Sequence, residues 1–234
     1  MAADCDDPGM EQDMRQEFRK DLMALEVQAM GGLDLVISQL DRALEAMKYQ
    51  DVELAGMVVA DDDRIDGRYL EVNQGILGLL ARGAQVPSDL RIVAALLHII
   101  RCVERMGDQC VNMAKLVPLS GYEAPKDSMI LDLIEKMGIS VRQQVGFARD
   151  AFHTRHTEMA QDLVRQDAEV NRLNKEIFRR AVDIGDDPEI REWAMFMVLV
   201  ARCLERVGDN TVDIAEQTVF VVTGLFREFT GADA

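Results

Sequence analysis

Glu104, Asp108 and Asn112 follow one another at intervals of four residues, and Glu205, Asp209 and Asp213 repeat that spacing. Residues four apart stack on one face of a helix, so each trio makes a slowly drifting row of oxygen-bearing side chains. Two shorter sets, Asp62 with Asp66 and Asp167 with Asn171, have the same interval. Facing rows of this kind on adjacent helices form a cradle for hard cations. Mg²⁺, Mn²⁺ and Ca²⁺ prefer oxygen ligands, and iron and zinc accept them. Without a cation, clustered carboxylates repel one another and some must take up protons.

A second reading competes. Arg101 lies three residues before Glu104, and Arg105 three before Asp108, so each carboxylate has a local cationic partner. Such pairs contribute about 0.2–0.5 kcal/mol each and occur on many solvated helix faces. A salt-bridged surface without metal therefore stays open. Against it, the first row borders an apolar stripe of Ile92, Leu96, Ile99, Val103, Gly107 and Val111, which puts it at the rim of a helix–helix contact. Gly107 and its counterpart Gly208 add to this. A mid-helix glycine costs about 0.5–1 kcal/mol relative to alanine, and its recurrence beside the carboxylates points to close backbone approach there.

Other chemistry-bearing residues are less organised. His153 and His156 have no third ligand nearby and read as part of a turn. His98, within an apolar run, reads as a packed core histidine, and Trp193 as a packing anchor. A carboxylate-bridged oxidase needs Glu-x-x-His on two helices. This chain has none, Asp150-x-x-His153 being the nearest approach. No glycine loop cradles phosphate and no nucleophile–base pair can be assembled, so no catalytic residue is assigned and an enzyme is not expected.

The elements that must position the acidic rows are helices. Leu, Ala, Met, Glu, Arg and Val dominate, and only five prolines interrupt 234 residues. Residues 1–13 read as a disordered acidic leader. A helix is expected from Met14 to about Tyr49, where Phe18, Leu22, Leu25, Leu33, Ile37, Leu40 and Leu44 share one stripe. A second, capped by Asp51, runs to about Arg82, and a third, capped by Ser88, runs to Leu116 before Pro118 and Gly121. A fourth opens at Asp127 or Ser128 and reaches about Phe152, and a fifth spans about Thr157 to Val182. A sixth starts at Pro188 and ends near Thr223.

The plan repeats. The stretch from Cys102 through Glu104, Arg105 and Gly107 to Asp108 recurs from Cys203 to Asp209, 101 residues later. Met30-Gly31 is echoed by Met137-Gly138, and Asp62 with Asp66 by Asp167 with Asn171, in the same order. The fold class is therefore all-α: two tandem three-helix bundles over residues 14–122 and 123–234, related by duplication.

Composition bounds the partners. A formal charge of −16 repels phosphate backbones and anionic headgroups, so direct nucleic-acid binding is not expected. No run of apolar residues approaches the 18 or more of a membrane span. Cys102 and Cys203 lie in apolar helical stretches, and none of the four cysteines forms a zinc pattern, as in a reduced cytoplasmic protein.

With its doubled Glu-Arg-x-Gly-Asp signal and an acidic pair on each preceding helix, the chain from Met14 to about Thr223 resembles the PhoU family. The resemblance implies a cytoplasmic negative regulator of the phosphate-starvation response, linking the phosphate ABC transporter and its ATPase to a sensor histidine kinase. Contact with the membrane would come only through those partners, and a homodimer is compatible with the fold. It also implies metal on the acidic motifs in some members and none in others. Carried onto this sequence, Asp62, Asp66, Glu104 and Asp108 would line one site, and Asp167, Glu205, Asp209 and Asp213 the other. Asn112 and Asn171 depart from full acidity on opposite rows, so the two sites are not equivalent.

Overall fold

The computed structural model describes residues 8–83, 86–121 and 127–226, and seven α-helices account for most of them. They are α1 (Pro8–Tyr49), α2 (Val52–Ala60), α3 (Asp63–Ala81), α4 (Pro87–Leu116), α5 (Ser128–Thr154), α6 (Thr157–Val182) and α7 (Pro188–Thr223). A 3-10 turn at Pro118–Ser120 closes α4. No strand occurs among the described residues. The first helix begins at Pro8, so the acidic leader expected over residues 1–13 is helical from residue 8, and its first seven residues lie outside the described range.

Capping explains most of the boundaries. Asp51 accepts from the Leu54 amide to start α2, and Asp127 accepts from Ile130 to start α5. Asp187 accepts from Glu189 and Ile190 ahead of Pro188 in α7. Each satisfies an amide that the first turn would otherwise leave unpaired. Ser88 is not the cap of α4: extended Val86 takes that place and Pro87 stands in the first turn, where its missing N–H costs nothing. Gly83, Gly121, Gly185 and Gly224 all have positive φ at connections or helix ends.

The expected second helix is broken. Asp61 and Asp62 form a turn between α2 and α3, with Asp61 paired to Arg42 of α1 at 2.5 Å. Three successive aspartates have poor helix propensity and compete locally for backbone groups. The corresponding helix of the second half, α6, runs through Asp167 unbroken.

α4 and α7 pack along each other at the centre, one from each repeat. α1 packs on α4, α3 and α5, while α5 and α6 pack on α7. One continuous core runs through both repeats, with Leu33, Leu40, Ile76, Leu96, Ile99, Met106, Phe152, Ile177, Trp193 and Leu204 all buried. α3 and α6 are thus the outer helices that carry acidic residues onto α4 and α7.

Asp127 also ties the second repeat together, because Arg180 of α6 donates to its other oxygen at 2.8 Å. That hydrogen bond and the capped amide hold the Asp127 carboxyl below its ordinary range. Asp127→Ala should cost about 1–2 kcal/mol of stability at neutral pH. A carboxylate of depressed pKa stabilises above its unfolded value, so the deficit should close as pH falls toward the acid limb. Chemical denaturation at two pH values checks both points.

Candidate metal centre

Gly107 and Gly208 are where the outer helices touch the central pair. A Cβ added to Gly107 would lie 3.2 Å from Asp62 Oδ1 and 3.0 Å from Ile65 Cδ1. One added to Gly208 would lie 3.0 Å from Asp167 Oδ1 and 3.5 Å from Val170 Cγ1. Asp62 and Ile65 correspond to Asp167 and Val170 in the repeat. Each glycine therefore lets a carboxylate and a branched aliphatic side chain of the facing helix lie against its backbone, and even an added Cβ would make the carboxylate give way by a few tenths of an ångström. That is the close approach the two glycines imply.

In the first repeat four predicted residues converge. Burial pushes the Asp62 carboxyl up, opposed by a hydrogen bond from Gln39 at 3.2 Å, and the charges of Asp66 and Asp108 push it further. Burial also raises Glu104; Arg101 opposes this, and Asp108 and Asp66 add to it. Asp62, Asp66, Glu104 and Asp108 are thus mutually repelling groups at the α3–α4 contact. Asn112 is exposed, one turn beyond Asp108. Arg101 approaches one Glu104 oxygen at 3.4 Å and packs over the Tyr69 ring, while Glu104 Oε2 is buried without a hydrogen-bond partner.

The second repeat is arranged differently. Asp167 is pushed up to about 6 by burial and then by Asp209, while Asn171 donates to its Oδ2 at 2.6 Å. Asn171 thus supplies a donor where the first repeat has the Asp66 carboxylate. Burial raises Asp209 too, opposed by Arg202, with Asp213 adding to the rise. Glu205 is turned to an ion pair with Arg202. Asp213 has a further neighbour outside the acidic row, since its charge acts on the Cys102 thiol of α4. Asp167 and Asp209 are the pair this repeat brings together most directly.

Two glutamines belong to these sites and were not singled out from the sequence. Gln39 of α1 donates to Asp62 and to the Val58 carbonyl. Gln144 of α5 is fully buried, its Oε1 lies 3.3 Å from the point where a Gly208 Cβ would sit, and neither of its amide atoms has a hydrogen-bond partner. The two are 105 residues apart, the same offset as Asp62 and Asp167, and that shared offset is the signal that could have found them. Every helix of each repeat therefore contributes to its site, α2 through the Val58 carbonyl that helps to hold Gln39.

The histidines depart from expectation or add nothing to the acidic sites. His156 caps α6 by accepting from Met159 at 3.0 Å, and His153 is exposed in the last turn of α5. His98 is exposed and not a core residue. Trp193 is buried as an anchor.

The donor chemistry fits a hard cation. Glu104 Oε2 and Asp167 Oδ1 are buried acceptors with no donor, and each site gathers carboxylates whose charged form is disfavoured as they stand. Unpaired buried acceptors of this kind call for a proton or a cation. The first site, with four carboxylates, fits a divalent ion better than the second.

Comparison with known proteins agrees with this architecture. The family model for the PhoU domain matches twice, over residues 32–117 and 134–218. The phosphate-specific transport system accessory protein PhoU homolog of Clostridium acetobutylicum is 29% identical over 213 residues, covering 90% of this chain and 96% of that protein. The homolog of Caulobacter vibrioides is 32% identical over 203 residues, covering 86% and 87% respectively. Among solved structures, PhoU from Pseudomonas aeruginosa superposes with a TM-score of 0.81 at 27% identity, over 89% of this chain and all of that one. The phosphate transport system regulatory protein PhoU from Streptococcus pneumoniae superposes at 0.83 with 24% identity, over 91% of this chain. The Clostridium and Caulobacter relatives are named as accessory proteins of phosphate-specific transport, and the Streptococcus protein as a phosphate transport system regulatory protein.

Proposed function

The chain belongs to the PhoU family, and we propose that it represses phosphate uptake and the phosphate-starvation response when phosphate is plentiful. Membership gives the coarser role, regulation of phosphate transport, through two matched repeats that cover most of the chain. The finer reading assigns it two partners, the ATPase of the phosphate ABC transporter and a sensor histidine kinase. Among the described residues no helix is long and apolar enough to cross a membrane; in this reading the chain meets the transporter peripherally, on its cytoplasmic face. The observation that carries the reading is the duplicated contact at Gly107 and Gly208, where each repeat holds a partly exposed acidic cluster in the same position.

In the first repeat Asp62, Asp66, Glu104 and Asp108 would hold a hard divalent cation or iron. In the second, Asp167 and Asp209 would hold one more weakly, because Asn171 stands where the first repeat has the Asp66 carboxylate. A bound cation would supply charge compensation, locking α3 against α4 and so fixing the surface offered to partners. The ligands themselves favour this order: Gln39 orients Asp62, and Gly107 lets the Asp62 carboxylate lie against the α4 backbone that also carries Glu104 and Asp108.

Phosphate-starvation reporter activity in phosphate-replete cells tests the regulatory role. Deletion of the gene is expected to derepress the reporter and its restoration to repress it. An unchanged reporter in a strain with no second copy would remove the assigned function. The metal reading has its own test. Purified chain should retain a hard divalent ion or iron, and Glu104→Ala combined with Asp108→Ala should lower that content toward background. Elemental analysis reads this directly; a metal-free chain of normal helicity after divalent supplementation would sink the metal assignment alone.

A further inference from the structure

We propose that His98, Cys102 and Asp213 form a binding site for one Zn²⁺ that clamps α4 of the first repeat to α7 of the second. One ligand atom from each residue lies within 4.8 Å of the other two. His98 and Cys102 are four apart on α4 and share a face, while Asp213 comes from the facing side of α7. Ligands around a tetrahedral zinc at ordinary bond lengths are about 3.5 Å apart. Closing the site therefore takes a shift of less than about 1 Å for each ligand, within reach of side-chain rotation and without moving a helix.

The donor set chooses the metal. One imidazole nitrogen, one thiolate sulfur and one carboxylate oxygen suit zinc and not Mg²⁺, Ca²⁺ or Mn²⁺, which want oxygen throughout. Three protein ligands leave a fourth position for water. The burial gradient suits entry from solvent: His98 is exposed at the mouth, Asp213 is half-buried, and Cys102 is 1% exposed at the base. On binding, the Cys102 S–H bond breaks, its proton leaves to solvent, and a zinc–sulfur bond forms with no change of oxidation state. Two charges act on the Cys102 thiol, Asp213 as the third ligand and Arg105, whose positive charge favours the thiolate.

The repeat shows where the site is not. The counterparts of His98, Cys102 and Asp213 are Leu199, Cys203 and Asn112, so the equivalent place in the other half keeps the thiol and lacks both the imidazole and the carboxylate. The proposal rests on these residues alone and does not depend on the phosphate-regulatory reading.

The test uses the full chain stripped with chelator and titrated with Co²⁺. A thiolate-to-cobalt charge-transfer band should develop, reach a plateau with the intensity of a single thiolate ligand and disappear on adding Zn²⁺. Cys110 is the thiol nearest the first acidic cluster, since the Asp62 charge acts on it, so Cys110→Ser is the control and should leave the band. His98→Leu and Asp213→Asn each install the residue of the repeat counterpart, so folding should survive, and each should weaken Co²⁺ binding at least tenfold. Cys102→Ser should abolish the band, and Cys203→Ser should leave it. Circular dichroism confirms that each variant is folded. If the folded wild type gives no band, or if the band survives both His98→Leu and Asp213→Asn, the proposal is overturned.

Discussion

In chelator-treated protein at about pH 7.5, Asp167→Asn is expected to raise the thermal midpoint by about 3–6 °C. Asp167 is pushed up to about 6 from an ordinary 3.8, first by burial and then by Asp209. A carboxylate whose folded pKa exceeds its unfolded value is destabilising when ionised. The penalty is fully present above about 6, shrinks as pH falls toward 3.8, and is absent below that. Partial solvent access screens the group, so a discounted cost of about 1–2 kcal/mol is the appropriate figure. Asparagine keeps the acceptor that Asn171 uses and places a donor near the unpartnered Gln144 oxygen. Wild-type stability should accordingly rise as pH is lowered from 7.5 to about 5, while the variant's profile should be flatter. Scanning calorimetry of both proteins across that range checks the sign. A variant less stable than wild type at pH 7.5 without metal would show that Asp167 is held by something other than desolvation.

Gly208→Val is expected to act in the opposite direction and more strongly. Its Cβ alone would meet Asp167 Oδ1 at 3.0 Å and Gln144 Oε1 at 3.3 Å, both at a buried contact, and the γ-methyl groups need still more room. Overpacking of this kind costs about 1–3 kcal/mol, beyond what leaving glycine behind recovers in helix propensity. A fall in the thermal midpoint of about 4–10 °C follows for a chain of this size. Gly107→Val should do the same at Asp62 and Ile65. It should also abolish divalent binding at the first site, because the carboxylate can no longer lie against α4. Calorimetry with and without Mn²⁺ separates the two consequences. Glycine substitutions that leave both stability and cation binding intact would show that the close approach has no role.

What the sequence revealed was set by local spacing. Rows at intervals of four, repeated after 101 residues, announced both the helices and the acidic faces, and Asp51, Asp127 and Pro188 marked helix starts through their own chemistry. The break at Asp61 and Asp62 was hidden because the apolar pattern continues across it on either side. His98 was misplaced because it sits within an apolar run. Its phase, two residues after Leu96, turns it away from the stripe of Leu96, Ile99 and Val103. Gln39 and Gln144 escaped because glutamine is ordinary on helix surfaces; only the common offset of 105 ties them to Asp62 and Asp167. Asp213 joined its acidic row by spacing, but its place beside Cys102 depends on how α4 and α7 pack between repeats, which no local pattern encodes.

Phosphate transport supplies the most direct measurement of the central claim. Uptake of labelled phosphate should be compared in phosphate-replete cells lacking this gene, in the same cells with the gene restored, and in cells restored with Gly107→Val. The account predicts elevated uptake on deletion, return to the repressed rate with the wild-type gene, and incomplete repression with the variant. Uptake that stays at the repressed rate after deletion, in a strain with no second copy, would contradict it.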